Sequence, residues 1–416
     1  MRQCHLCILV VAGCLFAPVK SFAPRSVVVS VPKLKSQMST TTTLSSASLT
    51  YSACSAVAVA SISAMAKLLS SIGLGSLAAR RENVLDTNAI SVLSRLTFWV
   101  FQPAFLLCSV ASTLCMEGGI RKSLLAVMPV ASALQIGLGA VVSSLVTKML
   151  HIDENESSDV RISTTFANSG PLPLIFADSL FQGGIRKDVT ACISFYLLAW
   201  SPLFWTCGRM ILGTTAASQE VSATQSTSWK DHISAEISKW LSPPVVGCIL
   251  GILIGTVPLL RSVFMGGLGT PLFSAVNTLG TAYLPASVLV LAGSLVQSTT
   301  FKPGGPNMNV SRKALWSIMA SRFLLAPLLS LVMVSTLSSF NLLGSGRSRA
   351  ILTFVLLMEG CMPPAQNSVI MLQLEGLTER AGRMAKMLAL LYSVAVVPVT
   401  ILMSGCLGLS EILNFT

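Results

Sequence analysis

The chain has 416 residues, of which 52% are hydrophobic and only 11% are charged. The mean hydropathy of +0.74 is far above that of a soluble domain of this length, so the composition predicts a polytopic membrane protein. The net charge of +12 does not indicate a nucleic-acid-binding protein, because the basic residues are scattered between apolar runs and form no basic stripe. The eleven cysteines lie in the leader or mostly in apolar segments, and their spacing indicates neither a disulfide framework nor a zinc site.

The first fifty residues have the composition of two targeting segments in series. Residues 1–21 have a basic start at Arg2, an apolar core too short to span a membrane and a small residue, Ser21, near a cleavage position, which is the pattern of a signal peptide. Residues 22–50 are rich in Ser and Thr, contain basic residues and lack acidic ones, because the first acidic residue of the chain is Glu82. That composition predicts a disordered transit-peptide-like segment.

The junction of these two segments reads Ser21-Phe22-Ala23-Pro24. It resembles the bipartite plastid presequence of algae with secondary red plastids, in which a Phe follows the signal-peptide cleavage site. The resemblance predicts an integral protein of the plastid envelope. The alternative is an ordinary signal peptide followed by a disordered tail, which predicts the endoplasmic reticulum membrane.

Beyond residue 50 the chain contains ten apolar runs of the length needed to cross a hydrocarbon core about 30 Å thick. A polar loop at 213–240 separates five runs in 51–212 from five in 241–416. Lys and Arg are more frequent in the loops after odd-numbered runs, which predicts a cytosolic or stromal central loop. The ten predicted spans are 54–79, 90–114, 123–147, 160–181, 188–212, 241–260, 272–297, 313–337, 350–374 and 384–409.

The two halves share features in matching order, which predicts two inverted five-helix repeats, since an odd number of spans reverses the second half. Interrupted helices at corresponding positions of inverted halves indicate the binding site of a secondary transporter. The shared features are the tetrapeptides at 101–104 and 283–286, a Tyr six residues before a Pro at Tyr196 and Tyr392, and the breaks at 170–173 and 363–364.

Predicted span nine is interrupted at Pro363 and Pro364, between Glu359 and the amide pair Gln366-Asn367. A helix broken inside a membrane must have its freed backbone groups covered by protein or water, because lipid cannot hydrogen-bond them. The break is therefore interpreted as a binding site. The alternative is a kink that only improves helix packing.

Four ionisable residues fall inside apolar spans, where each charge costs about 3 kcal/mol or more. Glu359 is placed to accept a proton, hold a cation or pair with Arg322 of span eight, and Arg322 lies too deep to reach the interface easily. Asp178 is close to the end of span four and is equally compatible with an interfacial position. Lys67 is equally compatible with an interior position and with a side chain that reaches the membrane interface, depending on where span one starts.

The paired breaks favour an organic anion. Where each helix restarts, its free amides and the positive end of the half-helix dipole form a site for a carboxylate. The last carbonyls of the preceding half-helix suit a cation. Asn168 and Asn367, one at each break, offer both donors and acceptors.

Several motifs together resemble the auxin efflux carrier family, the membrane transport proteins that include the PIN and PIN-like carriers. The motif at Met358 to Asn367 is the most specific and resembles the PIN-like branch. The resemblance covers roughly residues 60 to 409. The other motifs are the second-helix sequence at 93–107, the asparagine and proline pattern at 168–173, the proline-proline start at 242–260 and the arginine-x4-proline pattern at 322–327.

This resemblance implies a ten-helix carrier in which helices four and nine cross, moving auxin-like weak acids or other small organic anions without a cofactor. Pro171 departs from the pattern, because it stands where the family usually has a second asparagine. The residue patterns and the resemblance together give a predicted substrate site of Asn168, Gly170, Pro171, Pro173, Glu359, Pro363, Pro364, Gln366 and Asn367, supported by Arg322 and Asp178, with no metal and no catalytic residue.

Three alternatives stay open beside an anion carrier. A sodium-coupled organic-anion symporter of the bile-acid type would use Glu359 and Gln366 as sodium ligands. A non-transporting receptor or scaffold of the same fold would keep the architecture without flux. An intramembrane enzyme is disfavoured, because the sequence has no GxSG, GxGD or HExxH motif. The oligomeric state, including a homodimer, is left open.

Overall fold

The computed structural model describes residues 46–82, 84–115, 120–213, 242–300, 310–410 and 412. The chain divides between Leu49 and Thr50 into two units, and the first of them is described only over 46–49. The predicted signal peptide, the transit-like segment up to residue 45 and the central loop beyond Gly213 lie outside the described residues. The second unit, 50–416, contains the membrane-spanning fold.

The described part of the chain is all-helical, and its only extended pairing is one isolated bridge between two residues. The helices, in chain order, are α1 (Ser46–Glu82), α2 (Thr87–Cys115), α3 (Ser123–Met149), α4 (Glu154–Thr165), α5 (Pro171–Leu180), α6 (Gly183–Leu212), α7 (Pro243–Thr256), α8 (Pro258–Gly266), α9 (Thr270–Ser298), α10 (Arg312–Ser339), α11 (Gly346–Gly360), α12 (Asn367–Leu374) and α13 (Thr378–Ser410).

Seven helices in the described ranges are long and apolar enough to cross a membrane, namely α1, α2, α3, α6, α9, α10 and α13. Helices α7 and α8 make an eighth span if they are counted together, although they bend by 97°. The bend follows from Pro258, because a residue before proline avoids the helical region and Val257 is extended. The chain is therefore an integral, multi-pass membrane protein.

The other two predicted spans, four and nine, are each divided into two short helices. Helices α4 and α5 have 12 and 10 residues, and α11 and α12 have 15 and 8. At about 1.5 Å per residue, none of them alone crosses a core about 30 Å thick. The count of ten spans and the inverted relation of the halves therefore stay predictions.

Two long helices contain a π-helical turn directly before a proline. In α2 the turn covers Thr97–Phe101 and precedes Pro103, and in α10 it covers Ser321–Leu325 and precedes Pro327. A proline clashes with the carbonyl four residues earlier, and the wider π turn relieves that clash without ending the helix. In α10 the turn contains the buried Arg322.

The divided span nine lies inside the protein. Every residue from 354 to 373 is buried, a range that covers the end of α11, the break and nearly all of α12. By contrast, the long helix α13 alternates buried and exposed positions along its length. The surrounding helices therefore provide the shelter that a broken membrane helix requires.

Helices α2 and α7 approach each other closely along a row of glycines. Gly247, Gly251 and Gly255 are spaced by four and lie on one face of α7. A Cβ atom at Gly251 would lie 2.7 Å from the Leu107 carbonyl oxygen, which is backbone and cannot rotate away. Small residues at this spacing allow two membrane helices to pack backbone to backbone.

We expect Gly251→Ala to destabilise the protein by about 1–3 kcal/mol, because the added methyl must push α2 and α7 apart. Thermal unfolding of the purified protein in detergent measures this change. Gly137→Ala in α3 is the matched control, since its Cβ would meet nothing within 4 Å. Equal unfolding temperatures for the two variants would contradict the close packing of α2 and α7.

A buried charged network fixes the middle of α4 against α13. Asp159 is 3% exposed and accepts from Arg380 at 2.8 Å and from Arg383 at 2.7 Å. Arg380 also donates to the Leu212 carbonyl at 2.8 Å. These contacts join α4, α6 and α13, so the half-helix that leads into the first break is held by neighbours on two sides.

Candidate functional site

The two helix breaks pair with each other through their backbones. Asn168 donates its amide hydrogen to the Pro363 carbonyl at 2.8 Å, and Ala365 donates to the Phe166 carbonyl at 3.0 Å. Ala167 and Pro364 form the antiparallel bridge between these two bonds. Because prolines have no amide hydrogen, each break has few backbone amides that need an acceptor. The carbonyls of the other break accept from these amides.

Two tyrosines from the long helices hold the asparagines of the breaks. Asn168 donates through Nδ2 to the Tyr392 hydroxyl at 3.0 Å, and Tyr392 donates to the Pro364 carbonyl at 2.7 Å. The Asn367 amide contacts the Tyr283 hydroxyl at 3.0 Å. Tyr392 therefore links the first break to the second, and Tyr283 links the second break to α9.

A small cavity, which we name the crossover pocket, lies beside the paired breaks and has a volume of about 10 Å³. This volume holds about one water, so the pocket is closed to a larger ligand. Among the described residues that line it, the Tyr283 hydroxyl is the only ionisable group. The lining includes the side chains of Gln102, Phe105, Asn168, Trp200, Tyr283, Gln366 and Asn367 and the start of α5 at Gly170 and Pro171.

Arg322 is a buried cation that bridges the two breaks. Its Nε and Nη2 donate to the Met362 carbonyl at 3.1 and 2.7 Å, and its Nη1 donates to the Thr164 carbonyl at 3.3 Å. Both carbonyls lie at or just beyond the C-terminal ends of half-helices, where the helix dipole is negative. The site for a cation expected at these ends is therefore filled by the protein's own guanidinium.

Glu359 does not pair with Arg322, which corrects one of the roles expected for it. No ion pair within 4 Å joins these two residues of the described chain, because the guanidinium is turned to the carbonyls of the breaks. Glu359 is 1% exposed, and neither of its carboxyl oxygens makes a hydrogen bond of normal geometry. It lines a second cavity, distinct from the crossover pocket.

Some of the remaining predicted residues lie at the breaks, and the others lie away from them. Pro173, Pro363 and Pro364 are buried and shape the breaks without lining either cavity. Asp178 is 55% exposed at its side chain and pairs with Arg186 at 2.7 Å, so the structure does not bring it to the breaks. Lys67 is exposed on α1. The ion pair between Asp178 and Arg186 is exposed, and exposed ion pairs contribute little to stability.

Tyr283, Tyr392 and Gln135 are among the site residues that were missing from the sequence prediction. Tyr283 and Tyr392 belong to the motifs shared by the two halves, and that repetition was the available signal. Gln135 is a single amide in the middle of an apolar span, which was also a signal. It donates to Ser330 and to the Leu356 carbonyl, both at 2.9 Å, and accepts from Tyr196 at 2.7 Å.

Comparison with known proteins places the chain in a family. Residues 60–403 match the family described as membrane transport protein. The chain is 23% identical to Protein PIN-LIKES 1 of Arabidopsis thaliana over 350 residues, which cover 75% of this chain and 72% of that protein. It is 22% identical to Protein PIN-LIKES 5 of the same plant over 366 residues, covering 76% and 89%. The chain therefore belongs to the membrane transport protein family, the family of the auxin efflux carriers.

Proposed function

We propose that this protein is a secondary carrier of small organic anions, including auxin-like weak acids, and that the substrate carboxylate binds between the paired breaks. The observation that carries the proposal is the meeting of two interrupted helices, with one asparagine at each break, beside a pocket whose described lining residues include no acidic side chain. Helices α5 and α12 both begin there and point the positive ends of their dipoles at the breaks, although Pro171 and Pro173 leave few amide hydrogens in the first turn of α5. Amides and helix N-termini favour an anion.

The aromatic lining of the crossover pocket favours an anion that carries a flat ring. Phe105 and Tyr283 stack with their ring centroids 5.3 Å apart, and Trp200 borders the same pocket. Aromatic faces bind a flat apolar body while the polar groups orient its carboxylate. An aryl carboxylate has both a flat ring for the aromatic side chains and a carboxylate for the polar groups.

Alternating access is the mechanism that we propose for this carrier. The pocket is too small in this structure for an aryl carboxylate, so binding requires the elements around it to move apart. The lining falls into two groups, one on α2 and α9 with Gln102, Phe105 and Tyr283, and one on the breaks and on α6 with Trp200 and Ser201. A shift of one group relative to the other would open the pocket.

The sodium-coupled alternative receives less support. It would use Glu359 and Gln366 as sodium ligands, but they line different cavities. Gln366 instead donates to Ser287 at 2.7 Å. The carbonyls that suit a cation at the ends of the half-helices are occupied by Arg322.

The test is flux of indole-3-acetate into vesicles that contain the purified protein, at neutral pH and with protein-free vesicles as the control. We expect saturable, protein-dependent flux that other aryl carboxylates inhibit and their methyl esters do not. Replacing sodium with potassium should leave the flux unchanged. Absence of flux for every organic anion tested would contradict a carrier, and a requirement for sodium would support the symporter instead.

We also propose that the bipartite leader directs the protein to the plastid envelope. The support is the sequence at Ser21 and Phe22, between a signal-like and a transit-like segment. Imaging of a fluorescent fusion that carries residues 1–50 should show plastid labelling, and Phe22→Ala should shift it to the endoplasmic reticulum. Endoplasmic reticulum labelling by both fusions would contradict this targeting.

A further inference from the structure

The second cavity of the membrane region, which we name the glutamate cavity, has a volume of about 30 Å³ and lies beside Glu359. Arg322, Gln135, Tyr196 and Trp200 also line it, and Trp200 borders the crossover pocket as well. Ala167 lines the glutamate cavity and Asn168 the crossover pocket. Successive residues of an extended segment face opposite sides, so the paired breaks lie between the two cavities.

The glutamate cavity contains polar groups that make no hydrogen bond of normal geometry to any residue that the structure describes. Both carboxyl oxygens of Glu359 lack hydrogen bonds of normal geometry, as do the hydroxyls of Thr164 and Ser321. Thr164 and Ser321 also line this cavity. A volume of about 30 Å³ holds one or two waters, which would supply the missing partners. Such waters would also give a proton a route to the carboxyl.

Among the residues that the structure describes, the charged and titratable groups around Glu359 include a single cation and no second carboxylate. They are Arg322 of α10, Tyr196 of α6 and Cys361 at the end of α11, whose Sγ lies 3.6 Å from Cys406 Sγ of α13. From α3 and α4 the cavity receives Gln135 and Thr164, neither of which titrates, and Ser169 also faces the carboxyl. An ionised Glu359 balances the charge of Arg322, and a protonated Glu359 leaves it unbalanced.

We propose that Glu359 is a proton-binding site that is positively linked to anion binding at the crossover pocket. The inference rests on the proposed function. Arg322 donates to carbonyls of both breaks, so its charge lies against the segment that also forms the anion site. When a proton from water converts the Glu359 carboxylate to the acid, the positive charge of Arg322 is no longer offset and favours an anion. By reciprocity, a bound anion favours the protonated carboxyl.

The test is the equilibrium dissociation constant of indole-3-acetate for the purified protein between about pH 6 and pH 8, where a simple carboxylic acid stays ionised. For the wild type we expect the constant to rise with pH, by up to about ten-fold per pH unit for one linked proton. Glu359→Gln, which keeps the neutral shape, should bind with little dependence on pH. Asp178→Asn, an exposed carboxyl outside both cavities, is the matched control and should keep the wild-type dependence.

A second readout needs no variant. Binding of indole-3-acetate to the wild type in weakly buffered solution should take up protons, measured as a pH rise that grows with the anion bound. Absence of proton uptake, or the wild-type pH dependence persisting in Glu359→Gln, would overturn the linkage and leave the anion site intact. Absence of binding at every pH would instead overturn the proposed function on which the linkage rests.

Discussion

Arg322→Ala is expected to abolish transport and to lower the free energy of unfolding by about 2–6 kcal/mol. The variant leaves the carbonyls of Thr164 and Met362 without their donors, and each buried carbonyl left unpaired costs about 1–3 kcal/mol. It also removes the only cation at the ends of the two half-helices in the described chain. Thermal unfolding in detergent and vesicle flux measure the two effects.

Two further variants make this test specific for the bridging geometry. Arg322→Lys keeps the charge but replaces a fork of donors by one ammonium group, so it should recover part of the stability and little of the flux. Arg186→Ala removes an exposed arginine whose side chain is 53% accessible and should change neither. A stable, fully active Arg322→Ala protein would show that the bridge between the breaks is dispensable.

Asn168→Ala and Asn367→Ala are each expected to weaken binding of indole-3-acetate by roughly 10-fold to 150-fold. That range corresponds to the loss of one hydrogen bond to a charged group, about 1.5–3 kcal/mol. If both amides contact one carboxylate, the double variant should lose less than the sum of the two single losses. Binding of the anion to the purified variants measures these changes.

The tyrosine partners provide the control for indirect effects. Tyr283→Phe keeps the ring in the crossover pocket but removes the hydroxyl that contacts Asn367, so it should weaken binding less than Asn367→Ala does. Unchanged affinity in both asparagine variants would contradict a substrate site at the breaks. Full additivity in the double variant would instead place the two amides on separate parts of the ligand.

The position of the breaks was predictable from local sequence, but their partners were not. Pro363 and Pro364 interrupt an apolar run, and proline excludes a continuous helix there through its ring and its missing donor. The backbone bonds that join Phe166, Asn168, Pro363 and Ala365 depend on how α4 and α11 pack in three dimensions. No periodicity in either segment specifies that pairing.

The role of Arg322 shows why charge matching alone misled the sequence interpretation. A cation and a carboxyl in neighbouring apolar spans suggest an ion pair, so pairing with Arg322 was one of the three roles expected for Glu359. The negative ends of α4 and α11 compete for the same guanidinium, and its fork of donors reaches a carbonyl at each break. Glu359 is therefore left facing a cavity.

The same breaks explain why the number of membrane spans could not be read from hydropathy. Hydropathy finds an apolar run whether or not the helix through it is continuous, so spans four and nine were counted as full spans although their breaks were recognised. Their half-helices are too short to cross separately, and Pro258 bends the end of span six away by 97°. Asp178 fell at the end of a run, where sequence alone does not separate an interior acid from the exposed ion pair that it forms.

The most direct test of the anion site is the position of a bound brominated indole-3-acetate in crystals of the protein, located by the anomalous scattering of bromine. We expect its carboxylate between the paired breaks, within hydrogen-bond distance of Asn168 or Asn367, and the bromine signal on the aromatic side of the crossover pocket near Phe105 and Tyr283. A single bound molecule elsewhere, with the crossover pocket still closed, would contradict the assignment of the paired breaks as the substrate site.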